Sequence, residues 1–260
     1  MSNPDSIGRM RPESAYFRLL TTCVSVIVPA WNEEKGLPTC LRSIGAGQPG
    51  VEVIVSDGGS TDRTREIAAE HGASVVISPI RQRAAQLDLA VQQARGDVLL
   101  FLHADTRLPD GWLAELRTVL DTDPTVIGGA FCRRFDHPSL WLRWTCALAD
   151  WRGRIWGCFL GDQAMFIRSS AFWSLGGFRP LDRCEDLDLS LRMSRIGRTC
   201  MIGRPVISSG RRFLARGPFR QTWADFATAW RFISHQPPDE ALMDTEALGP
   251  KGSALRRRKP

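Results

Sequence analysis

The stretch VSVIVPAWNEE at residues 24–34 decides the fold. Its first half is apolar and β-branched in both alternating phases, so a strand here must be covered on both faces, the condition of a buried parallel strand. Pro29 closes the run, and Trp31, Asn32, Glu33 and Glu34 then turn it polar. Directly after them, EKGLPTCLRSI places Leu37, Leu41 and Ile44 at helical spacing.

Outward from this unit the pattern repeats. VEVIVSD at residues 51–57 reads as a second strand, and GGSTDRTREIAAEHG as a loop and a helix capped by Ser60 or Thr61 and stopped by Gly72. A short strand at 74–78, a helix at 83–95 and the strand DVLLFLHAD at 97–105 follow. Strand and helix alternating at this spacing predict an α/β fold: a Rossmann-like, doubly wound, mainly parallel sheet flanked by helices. Ligands of such sheets lie beyond the carboxyl ends of the strands. Asn32-Glu33, Asp57 and His103-Ala104-Asp105 sit at three such ends, so three strands deliver polar groups to one rim. The second half is less regular. GGAFCRRF (128–135) and GDQAMFIRSS (161–170) read as strands, and LWLRWTCALADWRGRIW (140–156) is rich in tryptophan.

With 260 residues, 43% hydrophobic and 24% charged, the chain can bury one substantial core. The expected organisation is a loose extension at 1–22, a single domain at 23–235 and a basic tail at 236–260. The net charge of +6 owes much to Arg256, Arg257, Arg258 and Lys259, so it does not define a basic face on the folded body. A basic balance suits a polyphosphate ligand or an anionic membrane surface; no aromatic–basic motif points to nucleic acid. Seven cysteines, odd in number and without a C-x-x-C pair, read as buried thiols in a reducing cytoplasm. The apolar run 19–30 behind Arg9, Arg11 and Arg18 has the look of a secretory leader, but its break at Thr21-Thr22 and its continuation into WNEE favour a buried strand. No run reaches the roughly 18 apolar residues of a spanning helix. The expectation is a cytoplasmic protein, soluble or peripheral at the inner face of the membrane.

Taken in order, VSVIVPAWNEE, VIVSDGGSTDRTR (53–65), FLHADTRLPDGWL (101–113), GDQAMFIRSSAFWSLGGF (161–178) and EDLDLSLR (185–192) resemble the family 2 glycosyltransferases, which have the GT-A fold. Each motif alone is weak; their shared order is strong. RAAQ at 83–86 with FLHADT and SSGRRF (208–213) is most similar to small bacterial members linked to arsenosugar biosynthesis and rSAM-selenodomain proteins. The resemblance implies inverting transfer from a nucleotide-diphosphate sugar, UDP- more than GDP-, to a small-molecule or lipid acceptor, assisted by Mn²⁺ or Mg²⁺.

It also implies roles for residues. Pro29, Ala30, Asn32, Glu33 and Asp57 surround the base and ribose, Asp57 accepting from the N–H edge of a uracil-type base; the alternative for Asp57 is a simple tight turn. Asp105 holds the metal, whose Lewis acidity eases departure of the diphosphate. Where the family has D-x-D, this chain has His103-Ala104-Asp105. His103 and Ala104 then lie against the nucleotide; His103 can also reach the metal, favouring Mn²⁺, or be a core histidine. Of the acidic pair, Asp186 is taken as the base that accepts the acceptor's proton, with Glu185 as runner-up. Acids that merely balance a helix dipole are the alternative. LDLSLRM alternates like a strand, but the resemblance makes it a helix. Arg83 and Gln86 reach the nucleotide or its phosphates, Arg211 or Arg212 clamps the diphosphate, and Asp162 and Gln163 face the acceptor.

The tryptophans at 141, 144, 151, 156, 223 and 230 fall partly at helical spacing, which first suggests core packing. The sharper reading is sugar stacking or a membrane-surface face, best for residues 223–233, where Arg220 and Arg231 suit anionic headgroups. Two rivals remain. A sugar nucleotidylyltransferase needs a Gly-rich phosphate loop where PAWNEE stands. A catalytically altered sugar-nucleotide binder has only His103 to suggest it.

Overall fold

The computed structural model describes residues 22–234. One sheet holds eight strands: β1 (Val24–Ala30), β2 (Val51–Asp57), β3 (Ser74–Ile77), β4 (Val98–Phe101), β5 (Thr106–Arg107), β6 (Val126–Phe135), β7 (Met165–Arg168) and β8 (Arg198–Ser208). Their order is β3-β2-β1-β4-β7-β6-β8-β5. The helices are α1 (Leu37–Ile44), α2 (Thr64–Glu70), α3 (Arg83–Val91), α4 (Trp112–Thr122), α5 (Leu140–Trp156), α6 (Ser169–Ser174), α7 (Glu185–Ile196), α8 (Arg211–Arg216) and α9 (Pro218–Ser234).

Strand β1 is central and parallel to both β2 and β4. Because side chains alternate along a strand, Val24, Val26 and Val28 enter one apolar layer with Leu37, Leu41 and Ile44 of α1 and Leu116 of α4. Ile27 enters the other, with Leu87 of α3, Phe172 of α6 and Leu189 and Met193 of α7. Both faces are covered, which accounts for a run whose one polar member, Ser25, is itself buried. Each such side chain contributes about 1.5–3 kcal/mol on burial.

The parallel arrangement holds for β3-β2-β1-β4. Beyond β4 the sheet is mixed: β7 is antiparallel to β4 and β6, β8 is parallel to β6, and β5 is antiparallel to β8. Close approach at this junction requires Gly128, where an added Cβ would lie 2.5 Å from the Phe166 carbonyl oxygen.

Several boundaries differ from the sequence reading. Residues 161–163 form a 3₁₀ turn rather than strand, since Ala164 is left-handed at φ 47° and β7 starts only at Met165. Neither Ser60 nor Thr61 caps α2, which begins at Thr64; both bond to Asn32 instead. The strand expected at 97–105 ends at Phe101, leaving His103-Ala104-Asp105 in the loop, and the helix expected at 83–95 ends at Val91. EDLDLSLRM is helical, and its strand-like alternation has a specific cause: the polar positions are buried as well. Asp188 pairs with Arg192 at 2.7 Å and Arg179 at 3.2 Å. Ser190 Oγ accepts from the Phe159 N–H and donates to the Gly157 carbonyl.

Tryptophan packing also departs from expectation: Trp144, Trp151, Trp156, Trp223 and Trp230 are exposed. All seven cysteines are free thiols, four of them buried and Cys23, Cys184 and Cys200 partly exposed. Among the described residues no helix is long and apolar enough to cross a membrane. The extension expected at 1–22, apart from its last residue, and the tail expected at 236–260 lie outside the described residues.

Candidate active site

The loops after β1 and β2 form one unit. Asn32 takes the left-handed conformation at φ 51°, which Asn tolerates better than most residues. Its N–H donates to Ser60 Oγ at 2.9 Å and its Oδ1 accepts from the Thr61 N–H at 2.9 Å. The Glu33 N–H donates to Thr64 Oγ1 at 2.8 Å, and the Glu34 N–H to Asp62 Oδ2 at 3.1 Å. At about 1 kcal/mol each, these bonds fix the backbone that carries Glu33. From the other face, Gln86 Nε2 donates to the Ala30 and Ser56 carbonyls at 3.1 and 2.9 Å, bracing the ends of β1 and β2.

A cleft of about 290 Å³ opens at this rim. Pro29, Ala30, Glu33, Arg83, Gln86, His103, Ala104, Asp105 and Arg211 line it, together with Trp31. Arg211 links two of the acids, pairing with Glu33 Oε1 and lying 3.2 Å from Asp105 Oδ2. The hydrogen bond to Glu33 is the main reason its pKa stands above the ordinary arginine value. Glu33 Oε2 is buried without a hydrogen-bond partner.

His103 Nε2 meets the Arg83 guanidinium, whose Nε lies 3.0 Å from Glu185 Oε1. The next residue, Asp186, accepts the Gly161 N–H on Oδ2 at 2.5 Å and the Leu187 N–H on Oδ1 at 2.7 Å. A Cβ on Gly161 would lie 2.9 Å from both Asp186 Oδ2 and His103 Nε2. His103 and Asp186 therefore both reach the side of Gly161 where a Cβ would stand, together with the Arg83 guanidinium. Glu185 is buried, and burial pushes its carboxyl above the usual range; Arg83 opposes the shift and Asp186 adds to it.

Other predicted residues stand elsewhere. The Asp57 side chain is fully buried, with Oδ1 accepting the Gly59 and Ser60 N–H groups at 3.1 and 2.9 Å, and Oδ2 buried without a partner. Asn32 acts within the loop. Asp162 pairs with Arg133, and Gln163 is buried, its Oε1 accepting the Leu160 N–H at 3.1 Å. Arg211 opens α8; the side chain of Arg212 lies outside the described residues.

Sequence reasoning missed two features. Arg81 lies over the ring of Trp31, a residue of the cleft lining, 3.1 Å from its centroid. The signal was an aromatic residue directly after a buried strand. Arg133 is buried on β6, where its backbone N–H donates to Asp150 Oδ1 at 3.3 Å. Burial is the largest single influence and works against its charge, but the Asp162 carboxylate and the Cys146 sulfur together leave the guanidinium's pKa raised. Nothing in the pair Arg133-Arg134 distinguishes the buried arginine from the more exposed one.

No cluster of three or more His, Cys, Asp or Glu side chains suited to a metal occurs among the described residues. Glu33 and Asp105 nonetheless converge on one cationic group, and Glu33 keeps an unpartnered oxygen. This donor set fits a hard divalent ion that takes one or two carboxylates and completes its shell with phosphate oxygens and water.

A half-parallel, half-mixed sheet with its polar cleft at the carboxyl ends of β1 and β4 is the GT-A architecture. The family model for glycosyl transferase family 2 matches residues 25–175, and the chain belongs to that family. An undecaprenyl-phosphate 4-deoxy-4-formamido-L-arabinose transferase from Pseudomonas aeruginosa is 33% identical over 138 residues, covering 49% of this chain and 40% of the relative. The chain thus matches less than half of that relative's length. Among solved structures, S. aureus TarS (residues 1–349) superposes with a TM-score of 0.60 at 17% identity, covering 72% of this chain and 60% of the other. A mannosyltransferase from Pyrobaculum calidifontis, in complex with GDP-Man and Mn²⁺, gives 0.57 at 23% identity, covering 76% and 62%. These likenesses establish the fold.

Proposed function

We propose that the protein is an inverting glycosyltransferase that moves a sugar from a nucleotide-diphosphate sugar, UDP- before GDP-, to an acceptor hydroxyl. The observation that carries this reading is the convergence of Glu33, Asp105, Arg211, Arg83 and His103 in one cleft, with Asp186 and His103 both against the same side of Gly161. TarS has been solved with UDP and with UDP-GlcNAc, which supports a uridine donor here. The Pseudomonas relative's name supports a lipid-phosphate acceptor, and the free thiols a reducing cytoplasm.

In this reading Trp31 and the β1–β2 loops bind the nucleoside, with Asp57 holding the loop that meets the base. Arg211 and Arg83 face the diphosphate and offset the charge that grows as the glycosidic bond breaks. Glu33 and Asp105 would hold Mn²⁺ or Mg²⁺, which when bound supplies Lewis acidity to the departing diphosphate. Asp186 takes the acceptor's proton as its oxygen attacks the anomeric carbon opposite the leaving group; Glu185, buried against Arg83, keeps that guanidinium oriented. Asp162, fixed by Arg133, sits on the acceptor side.

The deciding experiment incubates purified protein with UDP- and GDP-sugars and Mn²⁺ and identifies the released product. Nucleoside diphosphate is expected. Pyrophosphate would instead indicate nucleotidyl transfer. No turnover or binding of any donor, with Asp105→Ala indistinguishable from wild type, would sink the enzymatic reading.

A further inference from the structure

Two helices beside the acceptor side are inside out. Helix α5 buries Leu142, Thr145, Cys146, Ala149, Asp150 and Gly153, mostly small or polar, yet exposes Leu140, Trp144, Leu148, Trp151 and Ile155. On α9 the buried residue is Gln221. Phe219, Trp223, Phe226, Trp230 and Ile233 recur every three or four residues, which puts them on one helical face, and all are exposed, Trp223 by 58% and Trp230 by 63%. A helix that packs onto its own core turns such a stripe inward; these two turn it outward.

The two stripes join. Trp141 Nε1 donates to Thr222 Oγ1 at 3.2 Å, and the Trp141 ring lies 5.3 Å from both Phe219 and Trp144. Along α9, Trp223 meets Phe226 at 5.7 Å and Phe226 meets Trp230 at 6.3 Å. A contiguous apolar surface of this kind marks an interaction site.

Charge selects the occupant. The exposed ionisable residues of the two helices are Arg143, Arg154, Arg220 and Arg231 against the single acid Asp225, which accepts a hydrogen bond from Gln221. A second copy docked through the same face across a two-fold axis would bring arginine-rich surfaces together. Anionic headgroups neutralise them, and tryptophan rings favour the headgroup level of a bilayer. The position agrees: a cavity of about 300 Å³ between α9 and the residues just before Glu185 is lined by Arg183, Cys184, Thr228, Arg231 and Phe232.

We propose that α5 and α9 form a docking face for an anionic bilayer, on which the protein lies without spanning it, with the acceptor side at the headgroup layer. The proposal goes beyond glycosyl transfer, and its test requires no turnover. The full chain is floated with phosphatidylglycerol–phosphatidylcholine vesicles and with phosphatidylcholine alone. Flotation is expected with the anionic vesicles and is expected to weaken with salt. The double variant Trp223→Ser/Trp230→Ser should float at least tenfold less at unchanged thermal stability. It keeps the basic tail, so its loss locates binding on the helices. Arg143→Gln and Arg220→Gln should each weaken partitioning by about fivefold. No flotation with anionic vesicles, or flotation of the tryptophan variant equal to wild type, would overturn the proposal. So would light scattering that shows a dimer dissociated by the tryptophan variant, with no vesicle binding.

Discussion

The two halves of the sheet handle polar residues differently. In β3-β2-β1-β4, strand interiors are mostly apolar, with the small hydroxyls of Ser25 and Ser56 as exceptions, and polar groups gather at the carboxyl ends, in loops cross-linked by Asn32, Ser60 and Thr64. In β7-β6-β8-β5 and the helices around them, charges are buried inside: Arg133 with Asp162, and Asp188 with Arg192. In the proposed reading the first half presents charge to a ligand, whereas the second uses charge to hold its own shape. Under that reading an acid in one helix can belong to either class, with Asp186 assigned to the first and Asp188, paired with Arg192, to the second.

Substitutions test this division directly. The largest effect is expected at Asp105: Asp105→Ala should lower turnover on the order of 10⁴-fold, the equivalent of several kcal/mol of lost charge stabilisation, with an unchanged urea midpoint. Asp186→Asn should cost on the order of 10³-fold in kcat while leaving donor binding, read by calorimetry, intact. Asp188→Ala should reverse the signature. It strands the buried Arg192 charge, so urea unfolding should show a loss of about 3–5 kcal/mol with turnover per folded molecule retained. Turnover lost without destabilisation at Asp188 would break the distinction.

The pH profile sharpens it. Since burial raises the Glu185 carboxyl, turnover should fall as pH drops through a value above the ordinary glutamate range, because a protonated Glu185 releases its hold on Arg83. Glu185→Gln should remove that limb and leave a lower, flatter profile. Stability has the opposite sign: the folded state keeps this proton longer than the unfolded chain, so the Glu185 contribution weakens as pH rises from the ordinary value through the raised one. The smallest effect is expected at the exposed Arg198–Asp123 pair, where solvent screens the charges and Arg198→Ala should leave the urea midpoint unchanged.

The fold was legible in the sequence where local pattern and burial agreed. Residues 24–30 read as a two-faced buried strand because both phases were apolar, and 37–44 as a helix because Leu37, Leu41 and Ile44 share a face. The cleft was legible for a related reason: a parallel sheet sends every strand end to one rim, so Glu33 and Asp105 were destined to meet. Asp57 was harder, since its carboxylate serves its own turn and the strand end alone does not say which way it points. Helix α7 was misleading, because an alternating pattern cannot show that its polar members are buried in pairs.

By itself, then, the sequence determined the parallel half, its family and the acids at its rim, since these follow from local periodicity and chain order. Tertiary structure alone decided which charges face the cleft and which are sealed inside. It also decided that α5 and α9 turn their aromatic stripes outward. A helical period reveals a face without revealing its direction, and direction is set by what the rest of the chain leaves to pack against.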